Sequence, residues 1–207
     1  MKRIISLMLV VVMLLSLVAC KDNGKDNNES TTTTEPISID AEVLKADWKT
    51  GKLFFPNGNF VQFPCKVSEL IEKSGFKIGN ESALGDKVLA PKEEVTLNIV
   101  GEGVFFEVVA RNTSKDPDVP YKDVNVIAYS FNNTSEGNRQ IKFAGTLTPG
   151  ATRKAVEEAL GIPEGQKTED TLYYYNGKHR SNRNVKLIVA FNSDNIVNSV
   201  SYEIVYK

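Results

Sequence analysis

The sequence predicts an α+β protein built from two helix-plus-antiparallel-sheet units in tandem, with the helices on one face of the sheet. Two short segments have apolar residues at i, i+3 and i+4, the spacing of a helix with one apolar stripe, and they end at Gly75 and Gly161. Each is followed by segments in which apolar and polar residues alternate, as in strands with one covered and one open face. The repeated order of elements indicates two related units. Helices this short need a sheet to pack against.

The chain begins with a segment typical of a secretory signal. Lys2 and Arg3 precede an apolar run at residues 4–18, which Ala19 and Cys20 follow. A transmembrane helix is the competing interpretation, but the run is shorter than the roughly 20 apolar residues that span a bilayer. The placement of Cys20 resembles the lipobox of bacterial lipoproteins. This resemblance implies cleavage before Cys20 and a diacylglyceryl group on its thiol, whose two acyl chains anchor a protein stably to a membrane.

A polar tether and two repeats are expected after the leader, residues 1–19. Residues 20–36 have too few apolar side chains to form a core, so we expect a disordered tether between the lipid and the folded protein. The first repeat is assigned to residues 37–135 and the second to residues 136–207. Removal of the leader leaves 23 basic against 26 acidic residues, a net charge of −3. This balance argues against a nucleic-acid partner.

The first repeat is predicted to open with a hairpin and a helix. The turn-forming residues 56–59 separate two β-forming segments, 53–55 and 60–63, as in a β-hairpin. Val67–Ser74 is expected to be a helix that Gly75 caps. The alternation beyond it predicts three strands, separated by a glycine turn and a polar loop: residues 95–99, 106–110 and 124–131.

The second repeat is predicted to have the same order. Residues 141–144 are expected to form a strand, and Thr152 is placed to cap the start of a helix. This helix ends at Gly161, and Pro163 prevents its continuation. Its apolar stripe consists of three residues: Val156, Ala159 and Leu160. Three strands complete the repeat: residues 172–175, 185–191 and 200–206.

The predicted helix of the second repeat lies within a recognisable sequence signature. Residues 150–163 resemble the G-x-T-x-x-x-V-x-x-x-L-G-x-P signature of BamE-like small lipoproteins and of the beta-lactamase-inhibitor-protein-like (BLIP-like) fold. The resemblance covers the last third of the chain. The first repeat shares only the order of elements, because Pro64-Cys65-Lys66 stands where the glycine and threonine would be. The resemblance implies a protein that binds other proteins or assists envelope assembly and is not an enzyme.

The reactive side chains do not form a pattern of catalysis or metal binding. His179 is the single histidine, and no G-x-S-x-G motif accompanies it. Zinc sites need several Cys or His ligands, which one histidine and two cysteines do not supply. With Cys20 lipidated, Cys65 has no disulfide partner, and we interpret it as a small buried apolar residue rather than a reactive thiol. We therefore expect neither a cofactor nor a metal ion.

The candidates for a binding site are aromatic and basic. If Leu172 and Tyr174 face the core, then Tyr173 and Tyr175 lie on the open face, because successive strand residues point to opposite sides. Arginines follow in the adjoining loop, and Tyr and Arg are enriched at interaction hot spots. The competing interpretation is that these aromatic residues complete the core. Five residues are candidates for binding: Tyr173, Tyr175, Arg180, Arg183 and Trp48.

These observations predict a lipid-anchored, extracytoplasmic protein on the bacterial cell membrane. It is expected to act as a non-catalytic protein-interaction or envelope-scaffold module, for a protein partner that no motif in the chain identifies. The alternative is a binding lipoprotein that captures a small ligand or a cell-wall fragment. An interaction module requires an open apolar-aromatic sheet face, whereas such a receptor requires an enclosed pocket.

Overall fold

The computed structural model describes residues 47–163, 168–176 and 183–206, with the side chains of the last segment described from residue 185. The predicted leader and tether, Cys20 among them, lie outside the described residues. No helix within the described segments is both long and apolar enough to cross a membrane.

Antiparallel strands are the main secondary structure of the described chain. In chain order they are β1 Lys52–Phe54, β2 Phe60–Gln62, β3 Cys65–Lys66, β4 Lys77–Ile78, β5 Val88–Leu89, β6 Glu94–Gly101, β7 Val104–Arg111, β8 Val119–Pro120, β9 Asn125–Asn132, β10 Lys142–Phe143, β11 Thr171–Asn176, β12 Arg183–Phe191 and β13 Val197–Tyr206. Eight of them form the main sheet, in the order β11-β12-β13-β9-β7-β6-β4 with β3 beside β9. A second sheet has the order β10-β1-β2, and β5 pairs with β8 as a separate ribbon.

Three α-helices are described: α1 Val67–Ser74, α2 Glu81–Leu84 and α3 Arg153–Leu160. The predicted bounds of α1 are confirmed, and Gly75 ends it in the left-handed conformation with its N–H bonded to the Ile71 carbonyl. Thr152 caps α3 as predicted, since its hydroxyl accepts a hydrogen bond from the Ala155 N–H at 3.2 Å. The predicted stripe of α3 is only partly right, because Val156 is buried whereas Ala159 is exposed.

The prediction of two helix-plus-antiparallel-sheet units in tandem is wrong. Strands from both halves of the chain share one sheet, since β13 pairs with β9 through Tyr202 opposite Tyr129. The halves also share the second sheet, where β10 pairs with β1 through Phe143 opposite Leu53. The described chain is mainly antiparallel sheet with three short helices. Periodicity identified the strands but not their partners, because pairing is decided by contacts between residues far apart in the sequence.

The second sheet, rather than helices alone, covers one face of the main sheet. The ring centroid of Phe63 lies 5.0 Å from that of Tyr129, and Phe143 lies 6.2 Å from Phe131. On the main sheet itself, the rings of Tyr129 and Tyr202 stack at 5.2 Å. We call this covered side the inner face. It holds the large aromatic side chains of the core.

Gly51 marks a close approach between the two sheets. Its φ of 60° is left-handed, and a Cβ at this position would overlap the Tyr202 ring. The Tyr202 hydroxyl donates to the Lys49 carbonyl at 3.3 Å. A side chain other than hydrogen at position 51 is therefore incompatible with the packing of Tyr202.

Candidate functional site

The side of the main sheet opposite the core is the largest candidate surface, and we call it the open face. The described core cluster lies on the inner face. Apart from Ile127, which is buried at the register shift of β9, the residues between core positions along the strands of the main sheet are exposed or half-buried. The open face is defined by twelve residues: Thr96, Phe105, Glu107, Val109, Ala128, Ser130, Tyr173, Tyr175, Lys186, Ile188, Ser201 and Glu203.

Strand register arranges these residues in rows that cross the sheet. One row runs from β11 to β7 through directly opposite residues: Tyr173, Ile188, Ser201, Ser130 and Glu107. The next row runs parallel to it: Tyr175, Lys186, Glu203, Ala128 and Val109. Because neighbouring strands lie about 4.8 Å apart, each row spans on the order of 19 Å. The rows place aromatic side chains at the β11 end and small side chains in the middle.

Small side chains give the middle of the open face a groove of about 340 Å³. Ala128 and Ser130 line it on β9, and the Ser130 and Ser201 hydroxyls lie 3.1 Å apart. Glu107 and Glu203 also line it, and no described cation lies within 4 Å of either carboxylate. The groove therefore combines hydroxyl groups with negative charge.

Phe105 is a large apolar side chain of the open face, with 51 % of its surface exposed. Its backbone is fixed by the buried side chain of Asn138, which accepts from the Phe105 N–H at 2.9 Å. The Asn138 amide donates to the Phe105 carbonyl at 2.8 Å and to the Asn132 carbonyl at 3.0 Å. Asn138 thus joins the edge of the open face on β7 to the end of β9.

Phe105 and the two carboxylates were missed by sequence reasoning. The signal for Phe105 was present, because an inward Phe106 requires its neighbour to point outward. Glu107 follows the same alternation. Asn138 had no sequence signal, since a loop asparagine gives no indication of which carbonyl groups it will reach.

The predicted tyrosines lie where the alternation placed them. Leu172 and Tyr174 are buried on the inner face, whereas Tyr173 is half-buried and Tyr175 is 53 % exposed on the other side. The ring of Trp48 lies 5.7 Å from that of Tyr174, on the inner side of β11. The structure therefore brings Tyr173 and Tyr175 together and leaves Trp48 on the opposite side of the strand.

The basic candidates are described less fully than the tyrosines. Arg180 and the neighbouring His179 lie outside the described residues, and Arg183 is described only as the first backbone position of β12. Their participation in binding stays a prediction.

A second concavity, of about 520 Å³, lies between residues 168–170 and the turn after β12. The Arg153 guanidinium donates to the Glu169 carbonyl at 2.6 Å and to the Glu157 carboxylate at 3.0 Å. It also lies over the Phe191 ring, 5.1 Å from the centroid. Arg153 therefore links α3 to the sheet beside this concavity, so that its contacts are with the protein's own groups.

The remaining chemically reactive side chain of the described chain is Cys65, which is buried on β3. Burial raises the pKa of its thiol to about 12, and the negative charge of Glu69 adds to the shift. A thiol of this pKa is protonated at neutral pH, in agreement with the interpretation of Cys65 as a packing residue. No group of three or more His, Cys, Asp or Glu side chains in the described segments is arranged to hold a metal ion.

Comparison of the chain with protein-family models, curated proteins and solved structures finds no match in any of the three. The resemblance of residues 150–163 to the BamE-like and BLIP-like signature stays a prediction. The function is therefore inferred from the chain's own surfaces.

Proposed function

We propose that this chain is a lipid-anchored, extracytoplasmic module that binds another protein through the open face of its main sheet and does no catalysis. The observation that carries the proposal is the open face itself. It combines exposed aromatic rings at Phe105 and Tyr175, a class of side chain that is enriched at protein interfaces, with a groove between them that carries two carboxylates.

The arrangement of side chains over the open face supports a protein as the binding partner. Two rows of side chains cross five strands, a width on the order of 19 Å that suits a folded surface or an extended segment. The groove at the centre adds two carboxylates, Glu107 and Glu203, which would pair with basic side chains of the partner. We therefore expect a partner whose contact surface is basic at its centre and apolar at its margin.

Membrane attachment is proposed on the sequence of the leader and the position of Cys20. A diacylglyceryl group there, followed by the polar residues 21–36, would hold the open face within a few nanometres of the bilayer. Cys20→Ala is expected to release the protein from membranes or to leave an unprocessed precursor. Metabolic labelling with a fatty acid measures this directly, and label retained by the variant would contradict the anchor.

Site-specific photo-crosslinking in intact cells tests the binding surface. A photoreactive residue in place of Glu107, in the groove of the open face, is expected to give a discrete protein adduct. The same residue in place of Val88, which is 43 % exposed on the separate β5–β8 ribbon, is the matched control. Identical adducts at both positions would contradict the proposal, as would a ligand of low molecular mass at Glu107.

A substitution series connects the adduct to the aromatic rings. Phe105→Ala and Tyr175→Ala each remove an exposed ring and are expected to weaken the Glu107 adduct several-fold, because aromatic residues contribute strongly at interfaces. Val88→Ala is expected to leave the adduct unchanged. Equal adduct yields in all three variants would remove the open face as the binding surface.

A further inference from the structure

The outer edge of β11 is a second kind of binding surface, distinct from the open face. β11 is the last strand on its side of the main sheet, and no described strand pairs with its outer edge. An unpaired edge presents backbone N–H and C=O groups that are ready to pair with another strand.

The ladder between β11 and β12 shows which groups point outward. Asp170 and Phe191 are opposite each other in this register, and the Phe191 N–H donates to the Asp170 carbonyl at 2.7 Å. Hydrogen-bonded pairs alternate in an antiparallel ladder, so Leu172 and Tyr174 bond to β12. Tyr173 and Tyr175 therefore direct their N–H and C=O groups away from the sheet.

The composition of this edge lacks the usual protection against pairing. Residues 171–176 read Thr-Leu-Tyr-Tyr-Tyr-Asn, without a charged residue or a proline. The opposite edge of the sheet is different. The two-residue β4, which includes the exposed Lys77, pairs with only the end of β6. Beyond β4, Gly79 and Asn80 bond to the backbone of Asn98 and Thr96 on β6. The main sheet therefore has one uncharged edge at β11 and an opposite edge that neighbouring residues largely cover.

We propose that β11 pairs edge to edge with the β11 strand of a second copy of this chain, antiparallel and centred on Tyr174. This register places Tyr173 of each copy opposite Tyr175 of the other. The outward N–H and C=O groups of these two residues then form four backbone hydrogen bonds across the two-fold axis. Their rings form cross-strand aromatic pairs, which add to the stability of antiparallel sheets.

Several properties of the strand favour a second copy as the occupant. The two outward-pointing positions on either side of Tyr174 are both tyrosine, so the pairing is self-complementary. The absence of charge on residues 171–176 means that two copies meet without like-charge repulsion along the shared edge. Because β4, Gly79 and Asn80 bond to the backbone of β6, the opposite edge offers few free groups for pairing, and the assembly closes at two copies instead of growing into a fibre.

Pairing in this register has a consequence for the open face. Directly opposite residues of an antiparallel sheet project to the same side, so the open faces of both copies lie on one side of a continuous sheet. Tyr173 and Tyr175 move from the margin of one open face to the middle of a surface twice as wide.

Thiol crosslinking in membranes tests the register. Two full-length copies with different tags are coexpressed, one with Tyr173→Cys and the other with Tyr175→Cys, and the membranes are treated with an oxidant. Opposite residues lie about 4.5–5.5 Å apart at Cβ and diagonal ones about 7–8 Å, so the proposal predicts a several-fold excess of mixed-tag over same-tag dimers. Buried Cys65 is not expected to contribute. Equal yields of mixed and same-tag dimers, or no dimer, would overturn the proposal.

The mass of the detergent-extracted lipoprotein gives a second readout. Tyr173→Pro removes an outward N–H without removing a bond to β12, so a folded monomer is expected. Tyr173→Phe keeps both the N–H and the ring and is expected to remain a dimer, with circular dichroism checking the fold of each variant. A monomeric wild-type protein would overturn the dimer. Such a result would leave the proposed function intact, because the Glu107 photo-adduct measures binding of a different protein at a different position.

Discussion

The two faces of the main sheet differ in what the same strands place on them. On β7, Phe106 is 1 % exposed on the inner face, and its neighbour Phe105 is 51 % exposed on the open face. The Phe106 ring packs edge-on against Phe76 and Phe131, whereas the Phe105 ring has no described ring partner. Two adjacent phenylalanines thus differ in role, because one is part of the core and the other is exposed. The inner face holds the fold together, and the open face has apolar side chains that the fold does not need.

Truncation of each phenylalanine in turn is expected to give the largest difference between the two faces. Phe106→Ala is expected to lower the free energy of unfolding by about 3–5 kcal/mol, because it leaves a cavity in a packed core. Phe105→Ala is expected to change it by about 0.5 kcal/mol or less, since an exposed ring loses little packing. Urea denaturation of the two variants measures the difference. Equal losses would mean that the open face is a second core surface rather than a binding surface.

A smaller effect is expected at Asn138, which fixes the backbone of Phe105. Asn138→Ala removes three hydrogen bonds and leaves the Phe105 N–H and two carbonyl groups without their described partner. Buried polar groups left unsatisfied cost on the order of 1–3 kcal/mol, so we expect a loss of stability of about 2 kcal/mol. The Glu107 photo-adduct is also expected to weaken, because Phe105 loses its fixed position.

Asn57→Ala is the matched control for the asparagine. Its amide donates to the Lys73 and Ser74 carbonyls at 2.9 and 3.1 Å at the end of α1, but the side chain is exposed. Water can replace these bonds, so the expected loss is below about 1 kcal/mol. If Asn57→Ala costs as much as Asn138→Ala, burial is not what makes Asn138 important.

The assignment of residues to the two faces was predictable from the sequence because it depends on local alternation. Tyr173 and Tyr175 were assigned to the open face from the period of a strand alone, and Phe105 follows from the same rule. The bounds of α1 and its glycine cap were predictable for a similar reason, since the helical stripe and the left-handed position lie within ten residues.

The pairing of the strands that form the two faces was not predictable from local alternation. The pairing of β13 with β9 joins residues about seventy positions apart, such as Ser130 and Ser201. The register shift in β9 near Ile127 and the bonds of Asn138 are also set by distant backbone. The repeated order of elements predicted two units, whereas strands of both halves pair within one sheet. The groove and its carboxylates exist only because of that pairing.

Thr96→Cys is expected to have the smallest effect on stability. It adds a thiol on the open face, whose reactivity can be compared with that of Cys65 on the inner face. Cys65 is buried with a thiol pKa of about 12, so the thiolate that reacts with alkylating reagents is nearly absent at pH 8. A thiol introduced by Thr96→Cys lies at an exposed position of the open face, where the reagent reaches it, and is expected to react. Mass spectrometry after a short pulse of iodoacetamide distinguishes the two sites in one protein.

The two thiols are also expected to differ in how their labelling depends on pH. Because the folded-state pKa of Cys65 lies above its unfolded value, the contribution of the protonated thiol to stability is complete below about pH 9 and is lost as pH rises towards 12. Between pH 7 and 8.5, labelling of the Thr96→Cys thiol is expected to rise with its thiolate fraction, while Cys65 stays unlabelled until urea unfolds the chain. Labelling of Cys65 in the folded protein at the same rate would place it at an accessible surface and remove the distinction between the two faces at β3.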